Sequence, residues 1–304
     1  MLTKDLLGLY DMPTEDILII LEAAKTMKKI VLASTKAETR LRGKTLANLF
    51  FENSTRTRIS FELAAKYLGA RVVNMSAEGS SVAKGETLVD TGKNIAVMGI
   101  DAIVVRHMDS GAPHLLSRHV DIPVINAGDG LNEHPTQALL DMMTIREIKG
   151  GFKGLKVVIA GDVLHSRVVR SNIWGLQKMG ADVTVCGPAT LLPVGLETLG
   201  VGVSTDIREA ASGADVLMGL RIQLERQKSG MFPSAGGYLK SFGIDDEIVA
   251  LAKPDAIVMH PGPVNRGVEL SSEVMDGKKS VIFDQVTNGV AVRMAVLELY
   301  CGRD

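Results

Sequence analysis

Four short strings in this 304-residue sequence combine residue types that could handle an anionic substrate. Ser54-Thr55-Arg56-Thr57-Arg58 crowds hydroxyls and guanidinium groups together, and His134-Pro135-Thr136-Gln137 places an imidazole and a carboxamide around a proline. Arg221-Ile222-Gln223 pairs a guanidinium with a second carboxamide, and His260-Pro261-Gly262-Pro263 is a turn rich in fixed backbone. Arg106 and Arg167 each follow an apolar run closely. Guanidinium forks suit phosphate and carboxylate oxygens, and hydroxyls add further donors. Taken singly, each string has a plainer reading. An STR string is most often a helix cap with solvated arginines, and an isolated arginine a weak surface ion pair; a lone histidine before a helix is as often a capping or packing residue as a catalytic one.

The positions of these strings argue for more. Short apolar runs alternate with amphipathic stretches, the pattern of βαβ units and of an α/β fold with mostly parallel sheets. Strands are expected at Thr45 to Phe51, Arg71 to Met75, Ala102 to Arg106 and Pro123 to Asn126 in the first half. In the second half they are expected at Lys156 to Ala160, Asp182 to Cys186, Asp215 to Leu220, Ala256 to Met259 and Val281 to Phe283. Ligands of open parallel sheets bind beyond the carboxyl ends of the strands, and that is where the polar strings fall. After Ser54 the pattern is helical, with Ile59, Leu63 and Tyr67 one turn apart and Gly69 as the stop. Free N–H groups and the positive end of the helix dipole favour an anion at such a start.

Length implies two domains. The run Pro135 to Lys149, stopped by Gly150-Gly151, reads as a helix bridging them, with Pro135 in the first turn where its missing N–H costs nothing. The expected division is 1–134, the bridging helix 135–149, and 150–286, with a C-terminal helix, about 287–304, packing back on the first domain. Ser76 to Lys93 and Arg221 to Gly243 read as long Gly/Ser-rich loops, the usual form of lids and binding loops.

Composition excludes several classes. Net charge is -1, from 34 Lys+Arg against 35 Asp+Glu, so no global field attracts nucleic acid or an anionic membrane. Cationic groups gathered on one rim therefore imply a local site for a substrate with several negative charges. Cys186 and Cys301 form no CxxC pair and read as buried structural thiols. No apolar run approaches the roughly 18 residues of a membrane span. Asp5, Asp11, Glu15 and Asp16 stand where a signal peptide would be basic and then apolar, so a soluble cytoplasmic protein is expected. The histidines show no metal-ligand spacing, and neither GxxxxGK[ST] nor a GxGxxG after a strand occurs, so no metal and no cofactor is expected.

The run Phe51 to Glu62 resembles the carbamoyl phosphate loop of the aspartate and ornithine carbamoyltransferases, and the remaining strings appear in family order along nearly the whole chain. The resemblance implies that Ser54, Thr55, Arg56 and Thr57 bind the phosphate of carbamoyl phosphate, with Thr57 also at the carbonyl oxygen. Carbamoyl transfer passes through a tetrahedral intermediate, so donors must meet the charge growing on that oxygen. Arg106 and His134 are the candidates, and Gln137 is expected to hold the carbamoyl amide.

Ser80-Ser81-Val82-Ala83-Lys84 matches a family loop that reaches a neighbouring subunit's active site. That implies a homotrimer with shared sites, Ser80 (or Ser81) and Lys84 being contributed across the interface. It leaves room for a higher assembly with regulatory chains or a dihydroorotase. Arg167, Arg221 and Gln223 resemble the positions that hold the carboxylates of L-aspartate, together with Lys84. Where ornithine-specific relatives carry a cysteine-containing motif, this chain has His260-Pro261-Gly262-Pro263-Val264-Asn265-Arg266. Some aspartate enzymes have leucine at Gly262, so Pro261 and Gly262 would act here through backbone carbonyls, offered to the carbamoyl amide or to the attacking amine. The expected reaction gives N-carbamoyl-L-aspartate and phosphate, a step of de novo pyrimidine synthesis. Carbamoyl phosphate would bind first, and the domains would close over aspartate to expel water.

Three alternatives stay open on the residues alone. They are transfer to ornithine or another amine, a nicotinamide oxidoreductase suggested only by Gly161-Asp162 after a strand, and a catalytically silent scaffold subunit.

Overall fold

The computed structural model describes residues 2–76, 85–222 and 235–302. The chain forms two compact units, Met1–Met143 with Thr287–Asp304, and Thr144–Val286. In the first unit β1 (Thr45–Phe50), β2 (Arg71–Ser76), β3 (Ala102–His107) and β4 (Val124–Asp129) form a parallel sheet in the order β2-β1-β3-β4. Its helices are α1 (Thr14–Leu32), α2 (Thr55–Tyr67), α3 (Leu88–Val97) and α4 (Ala112–Ser117), followed by the start of α5 (Pro135–Lys149).

The central strand explains the sheet. Ala47 and Leu49 of β1 join Ile103 and Val105 of β3, Val124 of β4 and Leu116 of α4 in one apolar core. On the opposite face the wholly buried Asn48 donates from Nδ2 to Asn74 Oδ1 at 3.0 Å, so the single polar side chain inside β1 is tied across to β2. Register sets Phe50 beside Arg106, and Phe51 N–H donates to the Arg106 carbonyl at 2.9 Å. The residues that follow β1 and β3 thus emerge side by side.

In the second unit β5 (Lys156–Ala160), β6 (Asp182–Cys186), β7 (Gly202–Ser204), β8 (Val216–Gly219) and β9 (Ile257–Met259) are parallel in the order β7-β6-β5-β8-β9. Around them stand α6 (Arg167–Lys178), α7 (Ile207–Ala211), α8 (Ala235–Phe242), α9 (Asp246–Leu251) and α10 (Ser272–Met275). The last helix, α11 (Ile282–Cys301), begins in this unit and ends in the first. Within the first unit Arg40 Nη1 meets Glu298 Oε1 at 2.7 Å, and Arg293 lies over the Phe61 ring at 5.2 Å.

Several expectations are corrected. Val281 to Phe283 is not a strand. Ser280 makes a lone bridge with Val258, Val281 N–H donates to the Val258 carbonyl, and α11 starts one residue later. Consecutive Val281 and Ile282 are both buried while Phe283 is exposed, a burial pattern that does not alternate as a half-buried strand would. Leu88 to Lys93 is helix rather than loop, because Thr87 caps α3 by accepting from Asp90 N–H; Ala235 to Phe242 is helix as well. The helix marked by Ile59, Leu63 and Tyr67 is α2, but its buried face runs through other residues. Thr57, Ser60, Phe61, Ala64 and Ala65 are buried, and Ile59 is 47 % exposed. Small residues on that face let α2 lie close to its sheet, which apolarity alone did not signal.

Candidate active site

Each unit carries a cluster of the predicted residues at the carboxyl ends of its strands. In the first unit, four residues lead from β1 to α2, and Ser54 takes the N-cap position in extended conformation (φ −157°, ψ 102°). Its hydroxyl makes no capping hydrogen bond, and the first turn of α2 holds no acidic residue. The positive helix end therefore keeps its affinity for an external anion. Thr57 is buried beneath this turn, whereas Thr55 and Arg56 are exposed at its surface.

Arg106, near the end of β3, is mostly buried. Its Nη1 donates to the Ala127 carbonyl at 3.2 Å, and its Nη2 to Glu52 Oε1 at 3.1 Å. Glu52 comes from the loop that opens α2, so this pair ties β3 to the start of α2. Two ends of a guanidinium are thus occupied by fixed acceptors, which orients a fork that would otherwise sweep through many rotamers.

The turn that precedes His134 is held by a buried carboxylate. Asp129, at the end of β4, accepts from Gly111 N–H at 2.7 Å, Asn126 Nδ2 at 2.8 Å and Glu133 N–H at 3.1 Å. Glu133 in turn accepts from Leu9 and Tyr10 N–H, binding the N-terminal segment to this turn. His134 follows, 4 % exposed, and its carbonyl accepts the first bonds of α5 from Gln137 and Ala138. Gln137 donates from Nε2 to Asp141 Oδ1 at 3.0 Å.

Behind these groups lies Arg293 of α11, with Nη1 donating to the Gly289 carbonyl at 3.2 Å. Burial, and next the like charge of Arg106, push its guanidinium down to about 9, with Asp141 opposing. Glu52, Asp129, Asp141 and Arg293 were not among the predicted site residues. Only Glu52 had a sequence signal, its place in the run Phe51 to Glu62.

In the second unit the loop after β5 carries Asp162, wholly buried, which accepts from His165 N–H at 3.1 Å and faces His165 Nδ1 at 2.9 Å. Gly161 opens this loop in the left-handed region (φ +140°), and a Cβ there would meet the Leu220 carbonyl oxygen at 2.5 Å, so only glycine fits. Ser166 caps α6 by accepting from Val169 N–H, and Arg167 is its first residue, 7 % exposed. Leu220 N–H donates to the Ala160 carbonyl at 2.6 Å, joining the ends of β5 and β8, and Arg221 follows directly. At the end of β9, His260 leads into Pro261 and Gly262, both half-buried, with Gly262 at φ +67°. That backbone conformation disfavours any side chain.

The structure thus brings Ser54, Thr55, Arg56, Thr57, Arg106, His134 and Gln137 to the strand ends of one unit. Arg167, Arg221, Pro261 and Gly262 occupy the strand ends of the other. Ser80, Ser81, Lys84 and Gln223 lie outside the described residues. Cys186 and Cys301 are buried free thiols.

Residues 4–147 match the family described as aspartate/ornithine carbamoyltransferase, carbamoyl-P binding domain, and residues 153–300 match its Asp/Orn binding domain. The aspartate carbamoyltransferase catalytic subunit of Ruminiclostridium cellulolyticum is 64% identical over 301 residues, covering 99% of this chain and 96% of that one. Among solved structures, the ornithine carbamoyltransferase of Thermus thermophilus superposes with a TM-score of 0.88 at 28% identity, covering 99% of this chain and 100% of that one. The aspartate transcarbamoylase of Trypanosoma cruzi, in complex with carbamoyl aspartate and phosphate, superposes with a TM-score of 0.87 at 32% identity, covering 97% and 95%.

Proposed function

The chain belongs to the aspartate/ornithine carbamoyltransferase family; from that premise we propose that it transfers the carbamoyl group of carbamoyl phosphate to the amino group of L-aspartate. The products are N-carbamoyl-L-aspartate and phosphate, a step toward pyrimidines. One observation carries the choice of acceptor. Arg167 and Arg221 stand at the ends of the paired strands β5 and β8. Two cations suit the two carboxylates of aspartate, whereas the side chain of ornithine brings a cation of its own. The near-equal superpositions on ornithine and aspartate enzymes leave this choice to side chains, since fold does not set substrate.

The first unit supplies the donor half-site. The start of α2, with Ser54, Thr55, Arg56 and Thr57, holds the phosphate, and Arg106, His134 and Thr57 donate to the carbonyl oxygen. These donors are held in place before charge develops, the condition under which they stabilise a transition state most. The unprotonated amine of aspartate attacks the carbonyl carbon, a C–N bond forms, and the C–O bond to phosphate breaks. The leaving phosphate takes the proton that the amine sheds. Gln137 directs the carbamoyl NH2, because Asp141 can only accept and so turns the Gln137 carbonyl oxygen away from itself. Arg167, Arg221 and Gln223 hold the acceptor, with Pro261 and Gly262 offering carbonyls.

The working unit in this reading is a homotrimer in which Ser80 and Lys84 complete a neighbour's site. Exposed apolar side chains in the first unit, Ile59, Val73, Val97 and Met98, support an association surface. The reading includes a cytoplasmic location; among the described residues no helix is long and apolar enough to cross a membrane.

Assaying aspartate, ornithine and putrescine side by side with carbamoyl phosphate tests the assignment. Carbamoylation of aspartate alone is expected, and preference for either cationic amine would overturn the two-arginine argument.

A further inference from the structure

A buried polar group in the second unit has no part in the chemistry above. Glu269 and His260 are 2 % and 1 % exposed. Gly262 N–H donates to His260 Nδ1 at 2.8 Å, so that nitrogen carries no proton. The ring proton then resides on Nε2, which lies 3.2 Å from Glu269 Oε1. The same Oε1 accepts the Asn265 N–H at 2.5 Å. One carboxylate oxygen therefore lies 3.2 Å from the imidazole at the start of the 260–265 segment and is hydrogen-bonded to the backbone at its end. His260 N–H is anchored separately, donating to Gln285 Oε1 at 2.9 Å.

The network reaches further. Asn265 Nδ2 donates to the Ile222 carbonyl at 3.1 Å, fixing the residue that follows Arg221. Between its two anchors the segment has little apolar support, because Pro261 and Gly262 are half-buried and Pro263 is exposed. Val264 alone packs against the core. Burying a carboxylate and an imidazole adds little net stability compared with apolar residues of like volume, but it selects one geometry. The geometry selected here is that of the Pro261-Gly262 backbone together with the segment bearing Arg221.

We propose that Glu269 and Asn265 are positioning residues for the acceptor amino acid, setting its affinity through the 260–265 segment and Arg221 without touching it. The inference rests on the reading of Arg221 as an acceptor contact and of the Pro261 and Gly262 carbonyls as partners of the attacking amine. Glu269→Ala frees both ends of the segment, Asn265→Ala releases only Ile222, and Glu269→Gln keeps an acceptor oxygen in place.

Steady-state kinetics on the purified full chain, with each substrate varied in turn, tests this. Glu269→Ala should raise KM for aspartate roughly tenfold, the scale of losing hydrogen bonds to a charged group. KM for carbamoyl phosphate should stay within about twofold, since the donor half-site is untouched. Asn265→Ala should give a smaller rise of the same selectivity, and Glu269→Gln should recover most of the affinity. Nitrogen NMR should find the His260 ring protonated on Nε2 in the wild type and in Glu269→Gln. An unchanged aspartate KM in folded Glu269→Ala, or KM values rising together for both substrates, overturns the proposal. If Glu269→Ala does not fold, Asn265→Ala decides by the same criterion. Should the wild type carbamoylate another amine, the functional reading fails by itself, and KM for that amine then tests the positioning role.

Discussion

Gln137 and Asp141 stand one turn apart on α5, both buried, with Nε2 of the amide 3.0 Å from Oδ1 of the carboxylate. A carboxylate accepts and cannot donate, so the amide has one orientation and its oxygen faces away from Asp141. Asp141→Asn would remove that constraint, because an amide partner satisfies either orientation, and would also take away the negative charge that opposes Arg293's depressed titration. A loss of about 1 kcal/mol, one hydrogen bond's worth, corresponds to roughly a fivefold fall in kcat/KM for carbamoyl phosphate. Varying carbamoyl phosphate at saturating aspartate measures it, and an unchanged value would show that Asp141 does not orient Gln137.

Ser54 and Thr87 occupy the same position on their helices but differ in what their hydroxyls do. Thr87 accepts from Asp90 N–H at 3.1 Å, whereas Ser54 makes no capping bond. Thr87→Ala should therefore cost about 1 kcal/mol of stability, and Ser54→Ala under about 0.5 kcal/mol. Only Ser54→Ala should raise KM for carbamoyl phosphate. Urea midpoints beside kinetics separate the two, and an equal stability loss would mean that Ser54 is a structural cap.

The proposed sharing of active sites has a direct consequence. Lys84→Ala and His134→Ala should each inactivate the proposed homotrimer, but a mixed trimer would contain sites built from one intact copy of each residue. Activity should reappear after subunit exchange has been demonstrated by mass spectrometry. No recovery under those conditions counts against contribution of Lys84 to a neighbour.

Burial pushes the Cys186 thiol up to about 12, with Asp206 and then Glu209 adding to the effect. It raises Cys301 likewise to about 12, Asp101 adding and Lys44 opposing. The unfolded thiols titrate near about 8.5, so the folded state holds these protons more tightly. Their contribution to stability is present below about pH 8.5 and is lost as pH climbs toward the folded value. Between about pH 8 and about pH 11 the wild type should lose more of its urea midpoint than a Cys186→Ala/Cys301→Ala double variant does. Parallel slopes would show that other groups carry the alkaline loss.

Much of this molecule was legible in its residues. Lys156–Ala160 and Asp182–Cys186 form strands at the expected positions, and Pro135–Lys149 is the expected helix. In these segments apolar periodicity and flanking glycines act locally, and the tertiary structure reinforces them. The string Ser54 to Arg58 stood out for the same reason, since hydroxyls and guanidinium groups at a helix start are neighbours in sequence as well as in space.

Other features needed the fold. Val281 to Phe283 has strand composition, but the start of α11 and a single bridge to Val258 decide its conformation. The buried face of α2 follows from close packing against a sheet, which selects small side chains over the larger apolar ones nearby. The groups that hold the site residues were the least visible. Glu52 meets Arg106 across 54 positions, and Asn265 meets Ile222 across 43. A hydrogen bond depends on distance and angle in space, and sequence separation carries no record of either.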